Sequence, residues 1–276
     1  MKTSLFTFLG LLLFWAADAQ LKTPAASPSQ TIKQDFGLGA IEVSYARPGV
    51  KGRKIFGNVV PFGAVWRTGA NSATTLQFTD EVSIGGVKIA PGKYGLLTIP
   101  AKDNWTIIIS KQTDVTSPAA YKQEMDVVRL SAPVQSLKYR VENFTILIDD
   151  IKPTSCALGL YWDKSKVSFP ITTDIDEKIM KSIATAMSGE KPPYYSAALY
   201  YLENGKNLEQ ALAWFDKAVQ SNATAFWIHH QRANCLAKMG RKAEAIAAAE
   251  KSKELAVAAK NNDYVKLNEK LIGSLK

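Results

Sequence analysis

Along the first two thirds of the chain, apolar and polar residues alternate with period two, the signature of half-buried strands. In "AIEVSYARP", Ile41, Val43 and Tyr45 alternate with Glu42, Ser44 and Ala46. The Gly37-Leu38-Gly39 step just before it turns the chain back on 31–36. Further strands are expected at 73–78, 82–89, 94–99, 105–110, 127–130, 144–148, 155–162 and 166–172, with turns at Gly85-Gly86, Pro91-Gly92, Asp103-Asn104 and Asp163-Lys164. Many short strands with no helix-period segment between them predict an antiparallel β-sandwich over 30–173.

At Thr173 the period changes. Ile175, Ile179, Ile183 and Met187 fall four apart, which predicts a connecting helix over 174–187. After a linker at 188–193, the segment 194–276 is helical and repeats itself. Ala211, Phe215 and Ala218 recur 34 residues later as Ala245, Ala249 and Ser252, and Ala198 with Gly205 is echoed by Ala233 with Gly240. That period is tetratricopeptide-like. The last stretch, 261–275, reads as a polar-faced capping helix. The expected fold is therefore α+β multidomain: an antiparallel β-sandwich followed by a small all-α tetratricopeptide-like helical module.

The amino terminus changes the picture of where the protein works. Lys2, an apolar run over 5–15 and Ala17-Asp18-Ala19 form a secretory signal peptide over 1–19. That run is too short to cross a hydrocarbon core of roughly 30 Å as a helix, and no later segment is apolar enough to try. The expectation is a periplasmic or secreted protein that does not span the membrane, with a flexible leader at 20–29. The composition, 46% hydrophobic and 21% charged, is that of a globular protein. The net charge of +9 is spread over scattered lysines with no dense basic block, which argues against nucleic acid as partner. Cys156 and Cys235 are too few for a disulfide scaffold and read as separate buried thiols.

Candidate chemistry is sparse. Both histidines, His229 and His230, lie in the helical part, so the β domain has neither a histidine-assisted nucleophile nor a histidine-ligated zinc site. No phosphate-binding glycine loop follows a strand. No cofactor or metal is expected. Catalysis in the β domain would fall to carboxylates: Glu42, Asp80, Glu81, Asp126, Glu142, Asp149 or Asp150.

What the β domain does concentrate is arginine, glycine and aromatic residues, in "YARPGVKGRKIFGNVVPFGAVWRTGANSATT". Arg47, Arg53 and Arg67 offer planar forks for carboxylates or phosphates, Tyr45 and Trp66 offer flat faces, and Asn71 adds an amide after a flexible Gly69-Ala70 step. These residues form either a ligand site for an anionic or carbohydrate small molecule, or a latch holding a long loop over one end of the sandwich. In either case the 47–53 and 66–71 segments should meet in space.

The run Y-x-R-P-x-x-x-G-R-x-I-F-G, then V-P-x-G-x-x-W-R-x-G-A-N-x-A-T, P-G-K-Y-x-L-x-T-I-P and W-T-I-I resembles the domain of unknown function 2911 family over about 27–172. The resemblance implies a β-rich domain, sometimes followed by tetratricopeptide-like helices, and carries over no catalytic residue. Its motif positions here are Tyr45, Arg47, Pro48, Gly52, Arg53, Trp66, Arg67, Gly69, Ala70, Asn71 and Thr74.

Setting the two helical repeats in register directs Tyr195, Leu199 and Leu202 of the first, and Trp227, His230, Asn234 and Lys238 of the second, toward one inner face. That face is the expected groove for a protein or peptide partner, unless its apolar residues are used in packing. The functional expectation is a secreted or periplasmic binding protein. The alternative is an envelope hydrolase acting on carbohydrate or peptidoglycan fragments through β-domain carboxylates.

Overall fold

The computed structural model describes residues 23–276, so the expected signal peptide over 1–19 lies outside the described residues. The chain divides into a strand-built unit ending at Ile175 and a helical unit, Asp176–Lys276.

Among the described residues, nine strands form one antiparallel sheet: β1 (Ser29–Phe36), β2 (Gly39–Ala46), β3 (Thr75–Phe78), β4 (Val82–Ile84), β5 (Val87–Ile89), β6 (Gly92–Ile99), β7 (Asn104–Ser110), β8 (Asp126–Lys152) and β9 (Ser155–Thr172). Their order is β1-β2-β3-β6-β7-β8-β9-β4-β5. β8 belongs to both layers of the sandwich. Its start pairs with β7, Ile107 opposite Leu130, and its remainder from Val134 pairs with β9. The chain after β2 then meets the free edge of β8, where Gly49 bridges Asn143 and Val50 N–H donates to Glu142 O at 2.8 Å.

The alternation of β2 is realised in the core, where Ile41, Val43 and Tyr45 are buried beside Leu76, Phe78, Ile107, Leu158 and Phe169. Two expectations are corrected. Segments 127–130 and 144–148 are parts of one strand, because 131–143 also pairs, with register shifts between Ser136 and Val141 and again before Thr145. Likewise 155–162 and 166–172 are continuous as β9: Asp163 takes φ +51° within the strand where a turn was expected. Such extra residues let a strand bend without losing its partner.

The helical unit comprises α1 (Asp176–Met187), α2 (Tyr194–Glu203), α3 (Leu208–Ser221), α4 (Phe226–Lys238), α5 (Lys242–Ala258) and α6 (Asn262–Leu275). Gly205 at φ +62° and Gly240 at φ +78° occupy the tight turns after α2 and α4, a conformation that suits glycine. Asn207 and Asn261 cap α3 and α6 by accepting from Gln210 N–H and Tyr264 N–H at 3.0 and 3.1 Å. The repeated positions Ala211, Phe215, Ala218, Ala245, Ala249 and Ser252 are all buried. The alanines and Ser252 among them let successive helices approach closely. At the base of α1, Asp176 accepts from Lys206 Nζ and Tyr200 Oη at 2.7 Å each, and these bonds hold its carboxyl below the usual carboxylate range.

Among the described residues no helix is long and apolar enough to cross a membrane.

Candidate functional site

The motif "WRTGAN" interrupts a strand. Trp66 exchanges backbone hydrogen bonds with Thr98 of β6 at 2.7 and 3.0 Å, and Leu96 N–H reaches Thr74 O at 2.9 Å. Residues 67–73 therefore loop out from the line of β3 and return to it.

A buried polar network holds the loop. The Thr68 hydroxyl lies 3.1 Å from Thr98 Oγ1, and the Thr74 hydroxyl donates to Thr68 O at 2.6 Å. The Trp66 indole N–H donates to Gly69 O at 2.9 Å. Thr68, fully buried, takes φ +55°, a strained conformation for a β-branched residue. Gly69 meets a different demand, since a Cβ there would come within 3.1 Å of Ala46 O and 3.0 Å of Thr74 Oγ1.

The three arginines divide by what they touch. Arg47 is a latch: Nε donates to Phe144 O at 3.0 Å and Nη2 to Thr145 Oγ1 at 2.8 Å, tying the end of β2 to β8. Tyr45 is buried beside it, accepting from Ile146 N–H at 3.0 Å and donating to Gln30 Oε1 at 2.8 Å. Burial raises the Tyr45 pKa, with the Ile146 backbone bond and the Arg47 charge opposing that rise. Asn71, exposed at φ +58°, donates from Nδ2 to Ser27 O at 3.1 Å and so fastens the leader to the loop.

Arg53 and Arg67 instead share the wall of a cavity of about 250 Å³, together with Trp66, Trp162, Pro48 and Ser27 and floored by Gly69 and Ala70. The segments 47–53 and 66–71 do meet here. Arg53 is fixed in place by its own loop, with Nη2 on Gly49 O at 2.7 Å and Nε on Val50 O at 3.2 Å. Arg67 donates from Nη1 to Thr116 O, but its buried Nε has no acceptor among the described residues. A buried donor without an acceptor costs about 1–3 kcal/mol, and more when charged.

Trp66 is hemmed in. It stacks on Trp162 at 5.7 Å and 16°, and Phe56, Trp105 and Phe144 meet it edge to face. Its indole is thus a cavity wall within an aromatic cluster, not an open platform.

A second cavity of about 190 Å³ shares Val59, Val60, Trp66 and Arg67 with the first and adds Pro61, Ala64, Val65, Ser117 and Pro118. None of the seven candidate carboxylates lines either cavity. Asp126 lies in a closed cluster, accepting at Oδ2 from Arg129 Nη1 at 2.8 Å and from the Tyr121 hydroxyl. Burial and that carboxylate push the Tyr121 pKa up to about 12. Glu142 Oε1 accepts from Lys51 N–H at 2.7 Å, and Glu81 pairs with Lys88 at the surface.

In the helical unit the seven groove residues separate. Leu202 and His230 are in the core, the His230 Nδ1 lying 2.8 Å from Asn268 Oδ1 in a network that continues from Asn268 to Ser252 and on to Phe226 O. Lys238 Nζ donates to Leu202 O, Asn234 bonds Gln231, and Leu199 packs against the core. Three retain open surface, Lys238 being exposed despite its bond. Tyr195 lines an apolar cavity of about 250 Å³ with Pro193 and Ile228, and Trp227 is 37% exposed.

Sequence reasoning missed Trp162, Ser27, Val59 and Val60 as cavity walls. Trp162 carries no local signal, being an aromatic in an alternating strand like many that only fill cores.

Neither a curated protein nor a solved structure matches the chain. The family model described as "Protein of unknown function (DUF2911)" matches residues 27–171, more than half of the sequence and the full span from the leader segment at the cavity to the last strand. The chain with its arginine-lined cavity belongs to that family.

Proposed function

We propose that this is a secreted or periplasmic binding protein. Its sandwich takes a small oxyanion-bearing ligand in the Arg53–Arg67 cavity, and its tetratricopeptide-like helical region engages a protein or peptide partner through the surface around Tyr195 and Trp227. The observation that carries the first part is the pairing of two guanidiniums, Arg53 and Arg67, in the wall of one cavity with no carboxylate among its described lining residues. An oxyanion there meets two positive charges and the N–H groups of two guanidinium forks.

The lining favours binding over hydrolysis, because two guanidiniums and no carboxylate among the described lining residues leave a glycosidic bond without an acid and base. The enclosed Trp66 ring favours an anion over a sugar. For the helical region, the support is the 34-residue recurrence of buried small positions.

The test titrates acetate, phosphate and sulfate into the purified chain, following tryptophan emission and calorimetric heat. Saturable binding should weaken about 10–100-fold in Arg67→Met, the worth of one or two charge-assisted hydrogen bonds. Arg53→Met, at an exposed position, should weaken it in the same direction. Binding that neither variant changes would refute the site.

A further inference from the structure

The two cavities of the strand-built unit differ in character and adjoin at one wall. The first offers Arg53 and Arg67. The second replaces Arg53 with Pro61, Ala64, Val65 and Pro118, so beyond Arg67 and Ser117 its surface is apolar. Arg67 reaches between them, anchored through Nη1 on Thr116 O beside Ser117 and Pro118 of the second cavity.

Resting on the oxyanion reading above, we propose that the ligand is an alkyl or aryl monocarboxylate of about six to eight carbons. Its carboxylate lies against the Arg53 and Arg67 guanidiniums, and its apolar body fills the chamber beyond Val59 and Val60. The size follows from the chamber's volume of about 190 Å³. A dry apolar cavity of about 150 Å³ holds a benzene ring, so this one holds a phenyl group or a chain of similar bulk. The head follows from geometry: a carboxylate is flat and single-charged, and it matches the edge of a planar guanidinium, of which each arginine keeps an N–H edge not bonded to carbonyls.

The inference separates two contributions to affinity, an ionic one from the arginines and an apolar one that grows with the tail. Each buried methylene should tighten binding about fourfold. The gain should stop once the chamber is full.

The experiment is a series from acetate to decanoate, with benzoate and phenylacetate, titrated into the purified full chain. Affinity should rise about fourfold per methylene and level off near seven carbons, with phenylacetate close to hexanoate. Hexylamine and hexanol should bind at least tenfold more weakly than hexanoate. In Ala64→Phe, whose side chain enters the chamber, hexanoate should fall to the affinity of acetate. Affinity independent of tail length in the unmodified protein would overturn the inference while leaving oxyanion binding in place, as would hexylamine matching hexanoate. Hexyl phosphate binding tenfold tighter than hexanoate would overturn the carboxylate assignment. If neither acetate, sulfate nor any longer acid binds, the oxyanion reading itself falls.

Discussion

Replacing Tyr45 by phenylalanine tests whether the sandwich is closed by side chains of the arginine motif. The ring survives the change, including its edge-to-face contact with Phe144 at 5.8 Å, and only the hydroxyl is lost. That hydroxyl is the acceptor for Ile146 N–H at 3.0 Å, and Ile146 is 1% exposed. The variant leaves a buried backbone donor unpaired, at a cost of about 1–3 kcal/mol. Gln30 Oε1 also loses a donor, at a half-buried position where water reaches it in part. A net loss of about 2 kcal/mol lowers the melting temperature of a unit this size by roughly 4–8 °C. Near-ultraviolet circular dichroism of the Trp66–Trp105–Trp162 cluster follows that unit's unfolding, and hydrogen exchange at the Ile146 amide reports the bond itself. Tyr139→Phe, at a residue 64% exposed, serves as the control and should change neither. An unchanged melting temperature with an equally protected Ile146 amide would show that the hydroxyl contributes nothing to closure.

Three further outcomes are expected. Gly69→Ala places a Cβ against Ala46 O and Thr74 Oγ1 at φ +159°, and should destabilise the strand-built unit by about 1–3 kcal/mol in thermal denaturation; an unaltered melting temperature would mean the loop yields freely. Tyr121 titrates at about 12 when folded, raised by burial and by Asp126, against about 10 unfolded. Its contribution to stability is therefore complete below pH ~10 and lost as pH rises toward the folded value, so Tyr121→Phe should flatten the fall in stability across that range. Burial pushes both Cys156 and Cys235 up to about 11, so iodoacetamide at pH 8 should leave the native chain unmodified and add two groups after denaturation, as read by mass spectrometry.

The strands were legible where one face is buried and the other is not, as in Ile41, Val43 and Tyr45 of β2. β8 was read as two pieces because its middle, Lys138, Tyr139 and Arg140, is exposed at a register shift and carries no alternation. The motif located one wall of the cavity and no more. Arg47 and Arg67 look alike in sequence, yet one is a latch because Phe144 O and Thr145 Oγ1 arrive from β8, nearly a hundred residues away. Trp162 enters the same cavity from β9 by an equally distant route. In the helical unit, period and small residues located the helices, but not that His230 turns inward to Asn268, a partner supplied by α6.

The central claim is that an oxyanion binds beside the Arg67 guanidinium, and it can be observed on that side chain. In ¹H–¹⁵N correlation spectra of the arginine side chains, the Arg67 Nε–H resonance should be identified by its loss in Arg67→Lys and followed as hexanoate and then sulfate are added. The account predicts a saturable shift of the Arg67 Nε–H resonance as the guanidinium takes up the anion, and no comparable change at Arg47 Nε, which is already bonded to Phe144 O. An Arg67 resonance that stays in place while the added anions bind elsewhere on the chain would contradict it.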